Sequence, residues 1–253
     1  MDILRLKSFY TSPLGQCVRN TIGQKLEKKW PPLGGMRVLG LGYTMPYLSY
    51  PALAAERCFA FMLARHGAEI WPQANRVASA LVFEEDLPLP DASVDYILLA
   101  HALEYADNIE ETLHELWRVL TPNGKILLVI PNRRSFWTLY DNTPFGAGQP
   151  YSKRQLRALV RKGNFQIDSM EEVVHFLPSQ KHFLRLFSRI YEPTARNYFR
   201  FFGAALLVVI RKDFYQGAAI TRQSRRFFMP VWRPLSPTQC VASDSFKKDQ
   251  LIK

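Results

Sequence analysis

The stretch Arg37-Val38-Leu39-Gly40-Leu41-Gly42-Tyr43-Thr44 constrains this chain more than any other. A short apolar run, preceded by Gly34-Gly35, meets a glycine-containing turn and then a helix-compatible segment. That is the strand–turn–helix opening of an α/β fold that binds at its first turn, where glycine lets the main chain approach a ligand closely. Loops of this kind usually carry three glycines at two-residue intervals. Here Thr44 and Pro46 stand where the second and third belong. The frame is that of a cofactor-binding protein, and the loop has been altered.

Beyond the loop the alternation of strand and helix repeats. Cys58–Leu63, Ala78–Phe83 and Asp95–Ala100 read as the second, third and fourth strands. The last is a continuous apolar run, as expected where helices cover both faces. Asp107 and Glu110 have capping-box spacing ahead of a helix whose apolar face is Ile109, Leu113, Leu116 and Leu120. Thr121-Pro122-Asn123-Gly124 predicts its stop, and Lys125–Ile130 a fifth strand. Ser152 and Gln155 open another helix, which Gly163 ends. Phe165–Ile167 and Glu171–Phe176 form one uneven strand region, and Ala204–Ile210 is the last strand. The pattern predicts an α/β, doubly wound, mostly parallel seven-stranded sheet whose final pair is antiparallel.

The chain divides into three segments: an N-terminal helical lid over 1–30, an α/β domain over 31–215, and a basic, disordered tail over 216–253. A basic, aromatic helical insertion at about 177–203 interrupts the second. Phe9-Tyr10 and the stretch from Gly15 to Trp30 are the parts of the lid placed over the cofactor.

Net charge is +11 and unevenly spread. Residues 1–150 hold 14 Lys and Arg against 15 Asp and Glu; residues 151–210 hold 10 against 4, and residues 211–253 hold 9 against 3. An excess of that kind suits an acidic acceptor, an acidic protein partner or an anionic membrane surface. No RNA-binding motif accompanies it, so nucleic acid is not expected. Cys17, Cys58 and Cys240 are too few and scattered for a metal site or a disulfide framework, and suggest a reducing, cytoplasmic setting. No secretory leader is expected after Met1-Asp2-Ile3-Leu4-Arg5. Ala204 to Ile210 is too short to cross a bilayer.

Three pieces together resemble the class I S-adenosylmethionine-dependent methyltransferases, in their small-molecule branch. They are Val38–Leu48 (VLGLGYTMPYL), Asp86–Tyr105 (DLPLPDASVDYILLAHALEY) and Glu115–Asn132 (ELWRVLTPNGKILLVIPN). The resemblance implies the Rossmann-like methyltransferase fold, S-adenosylmethionine as cofactor, and methyl transfer to a small or acidic acceptor.

The resemblance also assigns positions. Gly40, Gly42, Tyr43 and Thr44 fall in the cofactor loop, although family members usually carry an acid at position 40. An acid at the end of the second strand, which normally holds the ribose, has no counterpart here. Phe83 falls beside the adenine amino group, so Glu84 or Glu85 is expected to substitute, with Met62 and Leu87 packing on the adenine. Thr44 is expected to cap the first helix. His101, directly after the fourth strand, is the candidate base; Tyr105, Asn132, Arg133 and Arg134 are candidates for the acceptor. The altered loop leaves a second function open, a silent relative that binds a partner through its basic half.

Overall fold

The computed structural model describes residues 1–73, 76–176, 178 and 203–213. The predicted insertion lies almost entirely, and the tail wholly, outside the described residues.

Two helices lead the chain, α1 (Ile3–Thr11) and α2 (Pro13–Glu27), separated by Ser12. Ser12 is extended, and its hydroxyl accepts from Gly15 N–H to cap α2, with Pro13 at the first helical position. Then come β1 (Arg37–Gly42), a single 3-10 turn (Met45–Tyr47), α3 (Ser49–Ala54) and β2 (Arg57–Leu63). A small hairpin of β3 (Pro72–Gln73) and β4 (Arg76–Val77) precedes β5 (Ser79–Val82). The rest is β6 (Val94–Ala100), α4 (Ile109–Val119), β7 (Leu120–Pro131), α5 (Lys153–Lys162), β8 (Phe165–Val173) and β9 (Ala205–Lys212).

Seven strands form one sheet in the order β5-β2-β1-β6-β7-β9-β8. The first five run parallel; β9 enters antiparallel between β7 and β8. Parallel strands alternate their side chains between two cores. Val38, Ala60, Met62, Leu98, Ala100, Leu127 and Val129 face α1 and α2. Leu39, Leu41, Phe61, Leu63, Ile97, Leu99, Ile126 and Leu128 face α4 and α5. Arg37 ties the starts of β1 and β6 together with paired bonds to Asp95, at 3.0 and 3.2 Å.

Local details differ from the sequence reading at three places. The cap of α4 is Asn108, whose side chain accepts from Glu111 N–H, and Asp107 instead pairs with Arg65. The predicted stop at Thr121–Gly124 is absorbed into a twelve-residue strand that starts directly at Leu120. Thr44 makes no capping bond. The chain after β1 forms only a 3-10 turn and then the six-residue α3. A helix that short offers little dipole for an anion.

The reason lies in the packing. A Cβ built on Gly40 would lie 2.2 Å from Thr44 Oγ1 and 2.8 Å from Leu48 Cδ1. Thr44 is fully buried in the space that an acidic side chain at position 40 would need. Glycine at 40 and threonine at 44 are therefore a matched pair. Gly42 differs: its φ is +89°, and a Cβ there would strike Ala100 O at 2.3 Å. It lets β1 and β6 close together at their ends.

Gly40→Ala is expected to cost about 1–3 kcal/mol through overpacking. Most of that loss should vanish in a Thr44→Ala background, a coupling that urea midpoints of the four proteins in the cycle would read.

Candidate active site

Ligands of open α/β sheets bind outside the carboxyl ends of the strands, where strand order reverses. In this sheet the reversal falls between β1 and β6. Tyr43 N–H donates to Ala100 O at 2.8 Å and closes the crevice floor. The next residue, His101, is fully buried and has φ of +54°. A left-handed histidine at this point is an uncommon, strained conformation that the surroundings must hold.

They hold it from both sides. His101 Nδ1 lies 3.1 Å from Glu104 Oε1, and Nε2 lies 2.7 Å from the Tyr10 hydroxyl. Tyr47 donates to that same hydroxyl at 2.9 Å. The tautomer that satisfies every partner carries the proton on Nδ1: Tyr47 donates to Tyr10, Tyr10 to Nε2, and Nδ1–H to the Glu104 carboxylate. Glu104 lies in a 3-10 turn (Leu103–Tyr105) and is 3% exposed.

Aromatic rings enclose this chain. Tyr10 stacks on Tyr43 with centroids 5.7 Å apart and meets Phe9 and Tyr47 edge-on. Phe145 stands edge-on to His101 at 5.6 Å and to Trp137 at 5.5 Å. Burial raises the Tyr10, Tyr43 and Tyr47 phenols well above their ordinary range. The helix that carries Tyr10 reaches the next strand end as well, where Ile3 N–H donates to His66 O at 2.9 Å. This helix, α1, is seated directly on the crevice.

At the end of β2, where the family places an acid, Arg65 forms a clamp. Its guanidinium bonds Glu84 at 2.5 Å, Tyr105 O at 2.5 Å and Asp107 at 3.0 Å. Glu84, expected near the adenine, is buried and committed to this pair. Glu85 accepts from Asn108 N–H. Met62 packs toward α1 and α2, whereas Leu87 lies in the opposite core, so they are not two walls of one slot. Met62 sulfur accepts from Glu69 N–H, and Leu87 N–H donates to Glu115.

Among the acceptor candidates, Tyr105 reaches the crevice, its ring edge-on to His66 at 4.7 Å. Asn132 is buried and occupied, donating to Gly203 O and accepting from Arg134 N–H. Arg133 and Arg134 are exposed.

Sequence reasoning named Tyr10 in the lid but missed its bond to His101, and it missed Arg65, His66 and the pairing of Glu104 with His101. The three-residue spacing of His101 and Glu104 was the one available signal.

Three buried side-chain atoms at this edge have no hydrogen-bond partner: Thr44 Oγ1, His66 Nε2 and Glu104 Oε2. Such atoms call for a polar ligand. They suit S-adenosylmethionine, whose ammonium needs acceptors such as a carboxylate and a hydroxyl. The space over β1, by contrast, is filled while α1 is seated.

A buried histidine paired with a carboxylate thus stands at the switch point of the doubly wound sheet, where such folds bind nucleotide cofactors. Residues 40–128 match the model of the methyltransferase domain. A probable S-adenosylmethionine-dependent methyltransferase from Mycolicibacterium smegmatis is 34% identical over 95 residues, 36% of this chain and 35% of that protein. An uncharacterised methyltransferase from Schizosaccharomyces pombe is 38% identical over 68 residues, 27% of this chain and 22% of the relative. The chain therefore spans about a third or less of the length of these relatives. Among solved structures, a possible histamine N-methyltransferase from Thermotoga maritima superposes with a TM-score of 0.58 at 17% identity, over 83% of this chain and 96% of that one. The [4+2]-cyclase SpnF gives 0.54 at 18% identity, over 76% and 80%. Residues 40–128 thus resemble the methyltransferase domain, and the sheet has the fold seen in S-adenosylmethionine-dependent methyltransferases of known structure. The cyclase neighbour is a reminder that this fold alone does not fix a reaction.

Burial lowers the His66 pKa from the usual 6.5 to about 4, with the N-terminal amino group, His101 and Arg65 adding to the shift. Below 6.5 the unfolded chain therefore binds a proton that the folded chain refuses. Stability should fall between pH 6.5 and about 4, by at most roughly 1.4 kcal/mol per unit from this residue, and be unaffected by it above 6.5. His66→Gln should flatten that part of a plot of urea midpoint against pH.

Proposed function

We propose that this protein transfers a methyl group from S-adenosylmethionine to a small acceptor, with His101 as the general base. One observation carries the reading: a fully buried histidine in left-handed backbone, bonded through both ring nitrogens, at the carboxyl end of β6. When bound, the cofactor supplies an electrophilic methyl group. The chain's residues align the acceptor, exclude water and take a proton. His101 Nε2 is the atom that accepts it. Nδ1–H, held by Glu104, fixes the ring and offsets the positive charge that the imidazole gains, as in other carboxylate–histidine pairs. Glu104 Oε2 and Thr44 Oγ1 are the unpaired acceptors left for the cofactor's ammonium.

A small acceptor agrees with the site better than an acidic one. The rings around His101 bring no cation with them, and Arg133 and Arg134 are exposed. No helix among the described residues is long and apolar enough to cross a membrane. The free thiols of Cys17 and Cys58 agree with a reducing, cytoplasmic setting. A partner or anionic surface for the basic C-terminal half stays a proposal from charge alone.

The alternative, a silent binding module, draws on Gly40 standing where the resemblance expects an acid and on the end of β2 carrying no carboxylate. Thermal unfolding separates the two readings. Saturation with S-adenosylhomocysteine at about 100 times Kd should add about 2.7 kcal/mol, on the order of 5–11 °C in Tm. His101→Asn should keep that shift while cutting label transfer from S-adenosylmethionine into a small-molecule extract by roughly 10²–10⁴. No shift at millimolar ligand would leave the silent module as the better account.

A further inference from the structure

We infer that Tyr10 holds the acceptor's place, and that the acceptor is an aromatic hydroxyl compound whose hydroxyl replaces Tyr10's between His101 and Tyr47. The inference rests on the methyltransferase reading and names its substrate class.

The bonding pattern at the Tyr10 oxygen selects a hydroxyl. That oxygen receives a proton donor from Tyr47 at 2.9 Å and presents its own proton to His101 Nε2 at 2.7 Å. An ionised carboxylate has no proton to present to Nε2, and an ammonium has no lone pair for Tyr47. A hydroxyl does both. The walls select a ring: Tyr43 lies 26° from parallel with the Tyr10 ring, and Tyr47 stands at 87° to it. Offset-stacked and edge-on partners together are the preferred setting for an aromatic guest. Tyr43, Tyr47, His101, Trp137 and Phe145 all lie outside α1, so they remain when it leaves.

Base strength narrows the class further. A phenol, at about pKa 10 in water, gives up its proton far more readily than an aliphatic alcohol, which lies several units higher. The proton of the acceptor passes to His101 Nε2, and the oxygen's freed pair forms the bond to the methyl carbon. The carbon–sulfur bond of the sulfonium breaks with its pair left on sulfur, so charge and electrons balance.

Ser12 both ends α1 and caps α2, so one extended residue joins the two helices. A charged tie of α1 to the β2–β3 segment is the Lys7–Glu69 pair, with Lys7 exposed and Glu69 half-buried.

The test uses p-cresol, the side chain that Tyr10→Ala removes, with toluene and p-toluidine as analogues lacking the hydroxyl. All binding is measured by calorimetry without cofactor. In Tyr10→Ala, p-cresol should bind at least about tenfold more tightly than either analogue, the value of one good hydrogen bond. Wild type, where Tyr10 competes, should bind p-cresol about tenfold more weakly than the variant. Equal affinity for toluene, or equal affinity in wild type and variant, overturns the inference. Should Tyr10→Ala not fold, amide exchange on wild type decides: millimolar p-cresol should speed exchange over Ile3–Thr11 and toluene should not. No such difference overturns the inference too. Hydroxyl-selective binding without any S-adenosylhomocysteine binding would retire the methyltransferase reading and keep the hydroxyl site. Cofactor binding without hydroxyl selectivity would do the reverse.

Discussion

The hydrogen-bond chain from Tyr47 through Tyr10 and His101 to Glu104 ties the N-terminal helix, which no sheet pairing holds, to two strand ends that pair with each other. It links the turn after β1, the end of β6 and the N-terminal helix. Each member is buried, so each would cost about 1–3 kcal/mol if left without a partner. That cost is what keeps α1 seated in a specific register over the crevice, beyond the unspecific attraction of its apolar face. It also keeps His101 in a backbone conformation it would otherwise leave. The same edge leaves Thr44 Oγ1, His66 Nε2 and Glu104 Oε2 unsatisfied, so the closed arrangement is well bonded at its centre and incomplete around it.

The departures from the family pattern come in compensated pairs. Glycine at 40 removes a carboxylate, and Thr44 fills the vacated space. Just past the end of β2, a strand end without the family's ribose carboxylate, Arg65 is neutralised by Glu84 from the neighbouring strand end. Loss of a side chain without compensation leaves a cavity or a stranded charge. Here packing and charge are both made good.

Much of the fold was legible because parallel strands covered on both faces write themselves as unbroken apolar runs, as Tyr96–Ala100 and Ile126–Ile130 do. The Ser152–Gln155 capping box was equally plain, being set by neighbours in sequence. The site was less so. Tyr10 and His101 are separated by 91 residues and meet only once α1 folds back over the sheet. The family pattern calls for a carboxylate at the end of β2, and an arginine there that draws its own carboxylate from position 84 carries no local signature. Met62 and Leu87 share only apolar character in the sequence, and the sheet lies between their cores.

The motifs that made the family recognisable are engaged in holding the scaffold. Glu115 accepts Leu87 N–H and two bonds from Arg118, and Arg118 also donates to Leu87 O, Leu89 O and Asp91. The bond to Arg118, helped by Leu87 N–H, holds the Glu115 carboxyl below its usual range against the effect of burial. This brace fixes the Leu87–Asp91 loop against α4 and so sets where β6 begins. A protein of this fold needs it whether or not it transfers anything, which is why strong motifs over Asp86–Asn132 say little about chemistry. The information on chemistry sits where local preference is overruled: in a histidine with φ of +54°, a buried carboxylate oxygen without a donor, and a tyrosine held at hydrogen-bonding distance from a base. A packed apolar edge would serve stability better than a strained backbone and an unpaired buried carboxylate oxygen.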